Sequence, residues 1–296
     1  MRYVSWASDS GDVITFEGGG PYERPGPYYF KELTSDLSAT AETARAPRQD
    51  GQTTYYASLD PRTINLVGSM LVWGSPSNPA RAAYDRQRAR LAQAFAPHRW
   101  GLLTYYKEDE AVQVRCRPLA TPTISQPVGT YSTIDISFTA DSPYWESARE
   151  YIQAVGVIQK FWRFPWVTRR YPMGAFNRFA FIDNQTAEEI YPTIEVYTTG
   201  QTVTLTNQTT GQAVTIQHQI AADQKLMVDL RDVSAFLYRR DEAGVYQLQE
   251  DVSHWMSLDS QPWSLRPGRN QVAIANDVPE DTPVAYIRWR IPSLGV

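Results

Sequence analysis

The chain has 296 residues, 42% of them hydrophobic, 12% aromatic and 20% charged, with a net charge of −4. That is long for one domain, too apolar for disorder, and carries no global basic field for nucleic acid. The single cysteine, Cys116, excludes an internal disulfide and a cysteine-based zinc site, and no apolar run approaches the ~20 residues of a membrane helix.

Abundant Tyr, Trp, Pro and Thr suit pleated, half-buried strands punctuated by turns. The opening residues do not read as a signal peptide, so synthesis and assembly in a reducing cytoplasm are expected. Residues 2–6 and 12–16 alternate about Ser8-Asp9-Ser10-Gly11 and read as a hairpin. Gly18 to Pro27 reads as a loop; its glycine triplet lacks the following Lys-Ser/Thr and helix start of a phosphate cradle. Strands are expected at 28–33, 38–45, 53–58 and 62–73. The last places Ile64, Leu66, Gly68, Met70 and Val72 on one face.

One helix is predicted over 79–95. Ser77 or Asn78 caps it and Pro79 fits its first position. Tyr84, Leu91 and Phe95 form one stripe at helical spacing. Arg81, Arg86, Arg88 and Arg90 decorate the remainder, as a solvated face or as the basic lining of a channel where copies meet. A hairpin follows at 102–107 and 112–117, its turn Glu108-Asp109-Glu110 read as a solvated acidic turn rather than a cation site. Residues 130–140 alternate, with Ser132, Ile134, Ile136, Phe138 and Ala140 on the inward side.

A domain boundary is expected near 147–152, giving domains 1–150 and 151–296. Residues 151–181 form a basic, aromatic bridge with five cations and no acid before Asp183. It reads as a segment across both domains, a docking surface, or a base-stacking platform. From 182 onward there are 8 basic and 15 acidic groups, a net of −7. Short strands are expected at 193–197, 201–206, 213–218, 225–230, 236–239, 245–248, 271–275 and 286–291. They read as a second sandwich or jelly roll.

Chemistry is sparse. His98, His218 and His254 lack a second ligand at metal spacing. No Gly-x-Ser-x-Gly elbow occurs. Glu195, Asp229 and Asp259 are candidate acids for a glycosidase pair, and Trp255 and Trp263 candidate sugar-stacking rings. Asn184-Gln185-Thr186 and Asn207-Gln208-Thr209 match glycosylation acceptors. No catalytic residue, cofactor or metal is expected.

The ordered pieces resemble the distal tail (Dit) proteins of long-tailed bacteriophages. The resemblance rests on Asp60-Pro61-Arg62-Thr63-Ile64-Asn65-Leu66-Val67-Gly68 and on Asn78-Pro79 with Tyr84, Leu91, Phe95 and Pro97, then Gly101-Leu102-Leu103. It continues with Ile134-Asp135-Ile136-Ser137-Phe138 leading to Asp141-Ser142-Pro143-Tyr144-Trp145, and with Phe164-Pro165-Trp166. It closes with Pro192-Thr193-Ile194-Glu195-Val196, Asn207 to Gly211, Leu226-Met227-Val228-Asp229 and Leu265-Arg266-Pro267-Gly268-Arg269-Asn270. It implies a mainly β chain of two sandwiches, the first with a flanking helix and hairpin, the second galectin-like. It also implies a homo-oligomeric ring, a hexamer, at the virion tail tip. The implied partners are the tail tube protein, a tail-tip hub or tail-associated lysin, and fibre or receptor-binding proteins. DNA is expected only in passage. The alternative is a lectin-like protein for host attachment.

Overall fold

The computed structural model describes residues 2–18, 26–72, 80–108, 110–156, 158–159, 175–176, 179–278 and 283–295. Most of the Gly18–Pro27 loop, the helix cap at 77–79, Asp109 and most of the basic bridge lie outside these residues. The chain is mainly β and divides into two compact units, Met1–Arg149 with Pro292–Val296, and Glu150–Ile291.

The first unit contains β1 (Arg2–Ser8), β2 (Val13–Phe16), β3 (Tyr28–Asp36), β4 (Ala39–Ala44), β5 (Thr53–Leu59), β6 (Arg62–Leu71), α1 (Ala80–Ala94), β7 (Gly101–Lys107), β8 (Glu110–Pro118), β9 (Thr123–Ile124), β10 (Tyr131–Ala140) and β11 (Trp145–Ser147). The second runs through β12 (Tyr151–Val155), β13 (Ile158–Gln159), β14 (Ala175–Phe176), β15 (Phe179–Asn184), β16 (Thr193–Tyr197), β17 (Gly200–Asn207), β18 (Gln212–Ile220), β19 (Gln224–Asp229), β20 (Ser234–Arg240), β21 (Tyr246–Asp251), β22 (Gly268–Asn276) and β23 (Val284–Trp289). β24 (Pro292–Ser293) then returns to the first unit and pairs with β11.

The main sheet of the first unit runs continuously in the order β2-β1-β7-β8-β10-β6-β3, with β4 and β5 paired apart from it. β8 turns the corner. It pairs with β7 from Glu110 to Cys116, then Arg117 and Pro118 pair with β10. At the other end a bridge between Glu17 and Tyr29 links β2 to β3. The two layers thus share strands, which is why the expected sandwich is a single hydrogen-bonded sheet. Alternation sends every second side chain inward. On β10, Ser132, Ile134, Ile136, Phe138 and Ala140 are all buried.

Helix α1 closes the core with Tyr84 and Leu91, and Phe95 just after it completes the seal; each is fully buried. The Phe95 ring lies 5.7 Å from Trp6 and 5.9 Å from Phe138, the edge-to-face and tilted arrangements that aromatic quadrupoles favour. Gly101 is needed where β7 passes Trp6, because a Cβ there would sit 2.6 Å from the indole.

The second unit is a sandwich of a six-stranded sheet, β12-β23-β16-β19-β20-β21, and a four-stranded sheet, β15-β22-β17-β18. Ile194, Val196, Leu226, Val228, Leu237 and Ile287 face Val203, Leu205, Val214, Ile216, Val272 and Ile274 across one core. The two ends of the expected bridge are strands of this unit, β12 at the edge of one sheet and β15 at the edge of the other. Tyr151 of β12 stacks on Trp289 with ring centroids 5.9 Å apart. Phe181 of β15 lies 3.8 Å beneath the Arg269 guanidinium.

Candidate functional site

The first unit carries a projecting ribbon. β3 and β6 pair as far as Asp36 and Thr63, and the same two chain segments resume pairing as β4 and β5 from Ala39 and Leu59. Only Leu37-Ser38 and Asp60-Pro61-Arg62 intervene. At this joint Asp60 accepts hydrogen bonds from the Ser38 and Thr40 hydroxyls, each at 2.7 Å, and its amide donates to the Ser38 carbonyl. Those donors hold the Asp60 carboxyl below its ordinary range.

Every residue of β4 is exposed, and β5 is exposed except at Ser58. Tyr55 is 73% exposed and Tyr56 60%. Adjacent strand residues point to opposite faces, so each face of the ribbon presents one ring. A two-stranded hairpin without a core is marginal in water. The composition therefore suits an element that gains its burial from another molecule. The sequence shows these strands, but only the pairing shows that they leave the sheet.

Arg81, Arg86, Arg88 and Arg90 are all exposed on α1. Arg81 lies 3.7 Å from Asp85 and caps the Tyr84 ring at 5.4 Å, and Arg90 donates to the Val13 carbonyl at 3.3 Å. Arg81 and Arg90 are thus partly engaged within their own unit.

Of the three acids read as glycosidase candidates, Asp259 is exposed, and Glu195 and Asp229 are committed elsewhere. Glu195 is buried on β16, where Lys225 and Arg288 approach its two carboxylate oxygens at 3.3 and 3.1 Å. Asp229 caps the turn after β19, accepting from the amides of Arg231 and Asp232. Beside the Glu195 cluster, burial and then the Glu195 charge push the Tyr197 hydroxyl up to about 12. The Tyr197 ring meets Tyr246 and Tyr286 edge-on. This polar, tyrosine-lined face of the six-stranded sheet is assembled from four strands, a grouping that no local motif announces.

The two tryptophans separate. Trp263 is 1% exposed and its indole N–H donates to the Leu205 carbonyl at 3.1 Å. A ring so placed offers no face to a sugar; the hydrophobic effect has made it core. Trp255 is 45% exposed, between His218 and His254 at ring distances of 5.7 and 5.2 Å. Among the described residues no group of three His, Cys, Asp or Glu is placed to hold a metal. Cys116 is fully buried and burial raises its thiol pKa, which makes it inert.

The apparent glycosylation sites are structural. Asn207 and Asn184 are buried, and their amides donate to the carbonyls of Ser264 and Leu265 at 3.0 and 2.8 Å. Asn270, buried beside Asn207, donates to the Arg266 and Gly268 carbonyls and accepts from the Arg266 amide. The Leu265–Asn270 turn is held by these side chains, with Gly268 supplying a φ of 91°.

Residues 185–289 match the family model described as the siphovirus-type tail component, C-terminal domain. None of the curated proteins compared matches the sequence. Among solved structures, the chain is similar to the SPP1 Dit (gp 19.1) protein, described as a paradigm of the hub adsorption apparatus in phages infecting Gram-positive hosts. That likeness has 11% identity and a TM-score of 0.61 over 98% of this chain and 99% of that one. It is also similar to a chain of the phage P2 baseplate in its activated conformation with Ca, at 10% identity and a TM-score of 0.58, with all of both chains covered. A second activated p2 baseplate structure, with Sr, gives 10% identity and 0.53 over 97% and 98%. The second unit thus resembles the C-terminal domain of siphovirus-type tail components, and over nearly its whole length the chain has the fold of the distal tail protein Dit.

Proposed function

We propose that this chain is a structural hub of a phage tail tip, a ring component that joins the tail tube to baseplate or fibre proteins and leaves a channel for DNA. The observation that carries this reading is the likeness of the entire chain, both units in order, to a hub protein and to baseplate chains. The family match over 185–289 supports it independently.

Under this reading the copies close into a hexamer in which one patch of each copy meets a different patch of the next. The β4–β5 ribbon supplies one such patch, and Tyr55 and Tyr56 become buried on assembly. The tail tube protein lies on one side of the ring. A tail-tip hub or tail-associated lysin and the fibre or receptor-binding proteins lie on the other. Assembly takes place in the host cytoplasm. The protein acts by holding others in place, without catalysis, cofactor or metal. The arginine face of α1 is the candidate channel lining, and DNA passes it without stable binding. The galectin-like second unit serves as a platform for neighbours; the burial of Trp263 speaks against a sugar site built on it.

Mass photometry over a range of concentrations tests the reading. A species of six times the 33.6 kDa chain mass is expected. A protein that stays monomeric at high concentration and is absent from purified tails contradicts it.

A further inference from the structure

Arg62, the first residue of β6, is 1% exposed. Its guanidinium donates in three directions. Nε reaches the Pro143 carbonyl at 2.8 Å, Nη1 the Ser35 hydroxyl at 2.6 Å, and Nη2 the Leu294 carbonyl at 2.7 Å. All three acceptors are neutral, and among the described residues no carboxylate pairs with it. Burial accordingly lowers its pKa from the ordinary arginine value. The surroundings form one knot. The Trp145 indole donates to the same Ser35 hydroxyl at 3.3 Å, and Trp145 pairs with Ser293 of the returning strand.

A buried cation is tolerable only while its donors are satisfied. Two of the three acceptors lie within residues 1–149. The third, Leu294, is 232 residues away along the chain and follows the whole of the second unit. Without it, Nη2 loses its acceptor, and Trp145, fully buried with the segment in place, loses its strand partner.

We infer that Arg62 is a conformational latch that makes the final form of the first unit conditional on the returning segment 292–295. Residues 1–149 contain every strand of that unit's main sheet except the two-residue β24, yet they hold a charge whose third acceptor only that later segment brings. The first unit therefore reaches its mature packing after the second unit has been made. If the hub reading holds, the ring-forming unit is not finished on a nascent chain that lacks its platform. The latch itself does not depend on that reading, because it concerns the isolated chain.

The test is hydrogen exchange on four proteins: the full chain, the chain lacking 292–296, full-length Arg62→Met, and the combination. Removing 292–296 is expected to raise exchange at least tenfold in β3, β6 and residues 141–147, with β16–β20 unchanged. In the Arg62→Met background the same removal is expected to change exchange less than about threefold, because the charge that needed the segment is gone. Equal effects in both backgrounds would overturn the latch and leave strand pairing as the cause; so would no effect of the deletion. Arg62→Gln repeats the comparison with a neutral side chain that still donates hydrogen bonds. Failure of both full-length neutral variants to fold would also overturn the inference, since it treats the charge as a liability answered by Leu294.

Discussion

The Ser38 hydroxyl donates to the Asp60 carboxylate at 2.7 Å, and this contact, with its twin from Thr40, pins the two strands of the projecting ribbon where they leave the main sheet. Asp60 titrates low because the carboxylate form is the one that accepts. A folded pKa below the unfolded value of about 3.9 means that the joint is stabilised above that pH and released as the pH falls through the folded value. Protection factors at the Ser38–Thr40 and Asp60 amides should be constant from pH 7 to 5 and fall toward pH 3. Asp60→Ala should show the lower protection at all pH values.

The ribbon should matter to assembly and little to folding. Replacing Tyr55 and Tyr56 together by serine removes exposed rings that make no core contact, so melting of the isolated chain should shift by no more than about 1 kcal/mol equivalent. The same variant should lose its oligomer by mass photometry. Unchanged assembly would remove the ribbon from the interface.

The turn clamp of the second unit gives a stability prediction. Asn207→Ala leaves the Ser264 carbonyl without its donor and deprives Asn270 of a neighbour. Stranding buried polar groups costs about 1–3 kcal/mol. Urea unfolding of the second unit should move by that amount, while Gln208→Ala beside it should be near neutral.

The tryptophans should differ sharply. Trp263→Ala opens a cavity in the sandwich and orphans the Leu205 carbonyl, costing about 3–5 kcal/mol. Trp255→Ala should cost about 1 kcal/mol or less. A reversal of this order in thermal melts would contradict the core assignment.

Strand positions were legible where one face is buried and the other is not. Alternation on β10 and the Gly-closed turns after β17 and β20 required no tertiary information. The edge strands β12 and β15 escaped, because a run of aromatics and cations masks the period of two. β24 escaped because two residues carry no period and their partner, β11, lies far back in the chain. Sequence reasoning places arginine at the surface, so the burial of Arg62 was invisible without its three acceptors. Trp255 and Trp263 look alike in sequence, and only the sandwich decides which one is core. Of the assembly surface, the strands of the ribbon were readable but not their departure from the sheet. That follows from the joint at Asp60, where pairing resumes after a break of two residues on one segment and three on the other.

The central claim is that this chain holds a tail tip together as a closed ring. Class-averaged electron microscopy of the purified full-length protein tests it most directly. End-on views with six-fold symmetry around an open centre are expected. Averages showing only single copies of the chain, even at high concentration, would contradict it.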